Sequence, residues 1–158
     1  MSTQRLGRLD LELTPGRLSL AGRIDDASPL GEFAAQVPAG DIVIDTDAVT
    51  FVNSIGMREW MRLVRALRER GTVTFERVAD VLITQMNLRP EFSGVSIRSF
   101  HAQYVCPSCG AEAAPLVDAI LHADSLRRMA APRLPCAECG KPMDLADFPE
   151  RYLSLFKA

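Results

Sequence analysis

The chain has 158 residues, 47% of them hydrophobic and 24% charged, with a formal net charge of −2. Those proportions belong to one folded domain, or one domain plus a small module, and exclude a mainly disordered or collagen-like protein. No apolar run approaches the ~20 residues of a membrane-spanning helix, and Met1-Ser2-Thr3-Gln4-Arg5 lacks the apolar core of a signal peptide, so a cytoplasmic chain is expected.

Leu6, Leu9, Leu11 and Leu13 alternate loosely with polar residues, as in a half-buried strand. Thr14-Pro15-Gly16-Arg17 is a turn, and Leu18, Leu20 and Ile24 continue as the second arm of a hairpin. Ser28-Pro29 reads as a helix start, with Ser28 as N-cap and Pro29 at the first helical position. Leu30, Phe33, Ala34 and Val37 are its buried stripe, and Pro38-Ala39-Gly40 ends it. Ile42-Val43-Ile44 is a short continuous apolar run, typical of a central strand. The stretch from Thr46 to Gly56 is expected as the turn into a long helix. In that helix Met57, Trp60, Met61, Val64 and Leu67 recur three and four apart, while Arg58, Arg62, Arg65, Arg68 and Glu69 face outward. Gly71 closes it. Val73, Phe75 and Val78 form the next strand, a helical stretch runs from Ala79 to Asn87, and Val95 to Phe100 alternates as a last strand. The order β-β-α-β-α-β-α-β predicts a mixed α/β sheet with helices packed mainly on one side.

The four cysteines lie in the last third, as Cys106-Pro-Ser-Cys109-Gly110 and Cys136-Ala-Glu-Cys139-Gly140. Two residues between thiolates let a tight turn aim both sulfurs at one ion. The glycines that follow can take positive φ and open backbone N–H groups toward the sulfurs. Two such turns predict one structural zinc held by Cys106, Cys109, Cys136 and Cys139 in a small zinc-ribbon-like module. Inside the insert, Leu116, Val117, Ile120, Leu121 and Leu126 fit a helix from 115 to 129; a ribbon hairpin through 115–120 is the alternative. His122 and His101 are expected as surface or capping residues, since four cysteines complete the site. Near the end, Pro149 opens a short helix with Tyr152, Leu153 and Phe156 on one face. The expected units are residues 1–103, the cysteine module 104–145 and a C-terminal helix in 146–158.

At the helix start, Asn53 and Ser54 occupy the capping zone, where a side-chain oxygen accepts a free first-turn N–H. Gly56 lets another group approach. A phosphate on Ser54 would be tolerated there and would add roughly two negative charges to an exposed turn.

The segment Asp45 to Gly56, ending Phe51-Val52-Asn53-Ser54-Ile55-Gly56, resembles the Asp-x-x-x-Val/Leu-x-Phe-x-Asp-Ser-x-Gly motif of the STAS domain, the fold of bacterial anti-sigma factor antagonists. Leu18 to Asp25 resembles that family's second strand and its Gly-x-Leu/Ile-Asp element. The resemblance covers roughly residues 5–100 and leaves out the cysteine module. It implies a non-enzymatic signalling switch in which the serine matching Ser54 is phosphorylated by a serine kinase, and the unphosphorylated form binds that kinase or anti-sigma factor. On this chain the implied partner face is Asn53, Ser54, Ile55, Gly56, Met57, Arg58 and Glu59, with Gly22, Asp25 and Asp26 from the neighbouring loop. The family's aspartate before the serine is Asn53 here. The alternative is an adaptor that binds a larger assembly, such as a transport ATPase complex, through the same face without phosphorylation. Nucleic-acid binding is not expected, because residues 104–158 carry no basic stripe. Catalysis is not expected either: Ser54 has no nucleophile-elbow context, and a four-thiolate zinc has no open position.

Overall fold

The computed structural model describes residues 2–157. Six strands, β1 (Ser2–Leu6), β2 (Leu9–Thr14), β3 (Arg17–Ile24), β4 (Ile42–Val52), β5 (Val73–Glu76) and β6 (Ser96–Ile97), form one sheet in that order. The first three run antiparallel as a meander, and every later pairing is parallel. The crossovers are α1 (Leu30–Phe33), α2 (Ser54–Arg68) and α3 (Asp80–Met86). The expected mixed α/β sheet is therefore present, with four local differences, the first being that the last expected strand, Val95 to Phe100, is broken at Arg98 into β6 and a separate strand over Ser99–His101.

The loose leucine alternation at the start is two strands, broken at Gly7-Arg8, because Gly7 takes a φ of +62° and turns the chain back. Ser28 does not cap α1. Its hydroxyl donates to the Arg23 carbonyl (3.0 Å) and accepts from the Asp25 N–H (3.3 Å), so it ties the preceding loop, and the helix shortens to one turn followed by a 3-10 turn over Ala34–Gln36. The expected turn from Thr46 onward is strand as far as Val52, since the second half of β3 offers it a parallel ladder. That ladder shifts register between Ser19 and Ala21 and again between Gly22 and Arg23. Such bulges re-aim side chains without ending the pairing.

Alternation divides the sheet into two faces. Leu18, Leu20, Ile42, Ile44, Val73 and Phe75 are buried on one, under the apolar stripe of α2. Trp60 is fully buried there, with its ring centroid 5.8 Å from that of Phe75. The opposite face carries charge. Asp45 is buried yet paired with Arg17 at 2.8 Å and with Arg77, and Glu76 pairs with Arg17 and Arg98. Hydrogen bonding to Asp45, more than the other nearby carboxylates, raises the Arg77 pKa.

The chain leaves the sheet through β7 (Ser99–His101) and enters the cysteine unit at β8 (Tyr104–Val105). β9 (Glu112–Ala113) follows, then β10 (Leu116–Asp118), α4 (Ala123–Arg127), β11 (Leu134–Pro135), β12 (Pro142–Leu145) and α5 (Pro149–Leu153). Neither reading of the insert survives: β10 returns to pair antiparallel with β7. The Asp118 carboxylate accepts from the N–H groups of both Ile120 and Leu121 at 3.0 Å. That local turn competes with a helix, and helix starts only at Ala123. Val117 and Leu126 are buried, whereas Ile120 and Leu121 are exposed. The C-terminal helix docks on α3. Tyr152 donates to Asp80, and Asn87 donates to the Tyr152 carbonyl (3.1 Å) and accepts from the Leu155 N–H (2.8 Å). Burial first, then the hydrogen bond with Asp80, raises the Tyr152 pKa.

The core yields a two-part prediction. Trp60→Ala should cost about 3–5 kcal/mol in urea denaturation. The buried indole N–H has no hydrogen-bond partner. Trp60→Phe should therefore cost only about 1–2 kcal/mol, because the lost volume is offset by removal of an unsatisfied donor. Equal losses for the two variants would contradict this packing.

Candidate metal centre and helix-start face

The two cysteine turns are copies of each other at the level of the backbone. The Gly110 N–H donates to the Cys106 carbonyl and the Gly140 N–H to the Cys136 carbonyl, both at 2.8 Å. The Cys106 N–H donates to the Ala111 carbonyl and the Cys136 N–H to the Lys141 carbonyl, again both at 2.8 Å. Gly110 and Gly140 take φ values of +78° and +77°, which only glycine adopts at little cost. Each turn is carried by a hairpin, β8–β9 or β11–β12, and the β8–β12 pairing brings the two turns together.

The result is a cluster of four sulfurs within 4.8 Å of one another. Cys106 and Cys139 approach to 3.5 Å, and Cys109 and Cys136 to 3.7 Å. A tetrahedral ion with metal–sulfur bonds near 2.3 Å requires sulfurs about 3.8 Å apart, so the cluster can hold one metal ion. Cys106 and Cys136 are buried and Cys109 and Cys139 exposed, which leaves the mouth of the site at the surface. The backbone N–H of Cys109 holds the Cys106 thiol down, to about 6. At Cys109 the Ala111 N–H acts in the same sense, but local desolvation of the sulfur and its three neighbouring sulfur groups outweigh it and push that thiol up to about 12. A bound cation removes this conflict by replacing the protons.

His122 and His101 lie outside the cluster. His122 precedes α4 and makes no capping bond through its side chain. His101 is better tied than the sequence suggests: Nδ1 donates to the Ala114 carbonyl (2.8 Å) and Nε2 pairs with the Asp47 carboxylate (2.5 Å). It thus joins β4, β7 and the insert. No local pattern announces this contact, because Asp47 is 54 residues away.

The second candidate site is the start of α2. Asn53 is the N-cap, and its side-chain oxygen accepts from the Gly56 N–H at 2.8 Å. Ser54 is the first helical residue and exposed, so its hydroxyl is not the cap. Gly56 is buried against the end of β3: a Cβ there would lie 2.0 Å from the Ile24 carbonyl oxygen. Of the expected partner-face residues, Ser54, Ile55, Arg58 and Asp26 are exposed, and Ile55 is 46% exposed despite its apolar side chain. Asn53, Glu59 and Gly22 are half-buried. Asp25, Gly56 and Met57 are buried and can shape this face without touching a partner. Asp25 accepts from the Ala27 N–H (3.0 Å), and Glu59 accepts from the Gly31 N–H (3.0 Å), so both carboxylates hold the loop beside the helix. Gly22, at a φ of +111°, would place a Cβ 2.3 Å from the Arg8 carbonyl oxygen.

A further concavity of about 520 Å³ lies on the charged face of the sheet, lined by Arg5, Glu12, Asp45, Asp47 and Arg77 among others. Most of its charges are consumed in pairs with one another, Arg5 with Asp10 and Arg77 with Asp45 and Asp47. No described helix is long and apolar enough to cross a membrane. Comparison with family models, with curated proteins and with solved structures finds no match in any of the three.

Two measurements test these sites. The purified chain should bind one metal ion, as four converging thiolates require, and Cys106→Ser with Cys136→Ser should abolish it in metal analysis. Because the ligands bind as thiolates, protons compete. The metal should be retained at neutral pH and released as the thiolates are protonated on acidification. At the helix start, Asn53→Ala should cost about 0.5–2 kcal/mol and Gly56→Ala about 1–3 kcal/mol, whereas Ser54→Ala should stay within about 0.5 kcal/mol.

Proposed function

We propose that this chain is a non-enzymatic, STAS-type protein-binding regulator whose partner docks on the exposed first turn of α2, with Ser54 as the residue that phosphorylation would switch. One observation carries the reading. Asn53 caps the helix and Gly56 locks it onto the Ile24 carbonyl, so Ser54 is left exposed with no structural duty. A phosphate there meets the positive end of a helix of 15 residues and stays in solvent. The asparagine in place of the family's aspartate supports the same geometry, since either side chain caps. The order of the strands and helices from β2 to β6 also supports a STAS-type fold.

In this reading the metal is zinc. Four thiolates at these separations suit a closed tetrahedral zinc that stabilises the cysteine unit and leaves no position for a catalytic water. The pairs of free thiols suit a reducing, cytoplasmic setting. The partner is a serine kinase or anti-sigma factor of the switching type. A second reading, a constitutive adaptor using the same face, is favoured by Ile55: an exposed apolar side chain beside Ser54 offers contact that needs no phosphate.

Ser54→Asp provides the test. The variant should keep the circular dichroism and melting curve of the parent and carry its zinc. Under a switch, affinity for the partner recovered with the parent protein should change by roughly tenfold or more, and cell-derived protein should contain phosphoserine. Under the adaptor reading, phosphoserine should be missing and Ile55→Ala should weaken binding at least as much as Ser54→Asp. Loss of the fold on Ser54→Asp would remove the site from both readings.

A further inference from the structure

The outward face of α2 carries a second feature, independent of Ser54. The helix has four arginines against a single glutamate, on a chain whose net charge is −2. Arg58, Arg62, Arg65 and Arg68 are all exposed, and their spacing of three and four residues sets them along one side of the helix over about 15 Å. Several arginines elsewhere are paired with carboxylates, Arg5 with Asp10, Arg17 with Asp45, Arg133 with Asp144 and Arg151 with Asp147. On α2 only Arg62 is so paired, with Glu59 at 2.8 Å. Among the described residues no carboxylate lies within ion-pair distance of Arg58, Arg65 or Arg68; Arg68 reaches only the Glu91 carbonyl at 3.4 Å. Beside this row is a groove of about 240 Å³, with Met61, Val64 and Phe92 among its walls and Arg65 and Arg68 along its edge.

We propose that this arginine row and its groove dock an acidic amphipathic segment of a protein partner, with carboxylates against the guanidinium groups and one apolar side chain in the Met61–Val64–Phe92 groove. Arginine suits the task because its planar fork meets carboxylates in paired hydrogen bonds and keeps its charge when partly desolvated. A helix laid in a groove presents side chains at the same three- and four-residue spacing as the row it meets. Charge complementarity also selects against longer polyanions. The row spans only about 15 Å, Glu69 and Glu91 also line the groove, and the rest of the molecule is acidic, so extended nucleic acid or an anionic lipid surface would meet repulsion beyond the row.

The probes are a fluorescent helical peptide with glutamates spaced three and four apart around a leucine stripe, the same peptide with serine for leucine, a labelled duplex DNA and phosphatidylserine vesicles. Each is titrated with full-length, metal-loaded protein at about 100 mM salt, where exposed charges more than about 10 Å apart are screened. The glutamate–leucine peptide should bind the parent most tightly. Its affinity should fall on the order of tenfold or more with Arg65→Glu/Arg68→Glu and less with Arg65→Gln/Arg68→Gln. A peptide with lysine in place of glutamate should recover binding to the reversed-charge variant. Ser54 lies about 16 Å along the helix from Arg65 and outside the groove, so the charge-reversal result at Arg65 and Arg68 is read independently of the switch. Equal binding by parent and both variants, equal binding of the serine peptide, tighter binding of DNA or vesicles, or no binding of any probe would each overturn the proposal.

Discussion

The approach of α2 to the carbonyl of Ile24 is the contact on which the sheet domain turns. That carbonyl accepts from the Asn53 N–H at 3.3 Å, and the backbone of Gly56 closes over it where any β-carbon would collide. The register of β3 on β4 brings Ile24 opposite Val52, one residue before the cap, so the ladder delivers the helix start to the end of its neighbour strand. From there the geometry of a straight helix does the rest. Trp60 falls against Phe75, Val64 is buried with it, Ser54 and Ile55 are left at the rim, and the arginines face solvent. A side chain at position 56 would lift the first turn and move all of these together.

The insert of the cysteine unit and the C-terminal helix are both fastened to this domain, and no sulfur is involved. β10 pairs with β7, His101 bridges Asp47 and Ala114, and the C-terminal helix is held to α3 through Asp80 and Asn87. Phe156 stacks on Phe100 with centroids 5.2 Å apart, and Tyr104 is buried with its hydroxyl on the Pro132 carbonyl (2.8 Å). Burial pushes the Tyr104 pKa up to about 12. A metal held by the four cysteines would organise β8, β9, β11 and β12 around one point, and its binding free energy would be folding free energy for that unit.

Features written within a few residues were legible in the sequence. The apolar spacing of α2, the run Ile42-Val43-Ile44 and the paired Cys-x-x-Cys-Gly turns each have a local cause, and each appears where its pattern places it. Asn53 could be placed in the capping zone, although not chosen over Ser54, because both side chains carry a suitable oxygen. What was lost depended on partners far along the chain. Ser28 would cap a helix if the Arg23 carbonyl did not take its hydroxyl. The insert from 115 to 129 has the spacing of a helix, but β7 supplies a ladder, and Asp118 claims the two N–H groups a helix would need. The Asp45–Arg77 pair spans 32 residues and leaves no periodic trace.

Two kinds of surface therefore share one rigid helix. Its first turn is built to be still: cap, glycine contact and Glu59 hold it, and what remains free is one hydroxyl and one apolar side chain. Its outer flank is charged, and of its four arginines only Arg62 is paired with a carboxylate. A phosphate added at the first turn would reach Arg58, four residues on, before any of the others, and would take up the arginine nearest the helix start. The far arginines, Arg65 and Arg68, would remain available. On the proposed reading, the charge state of the first turn and the occupancy of the flank would vary separately on one helix, without a change in the fold.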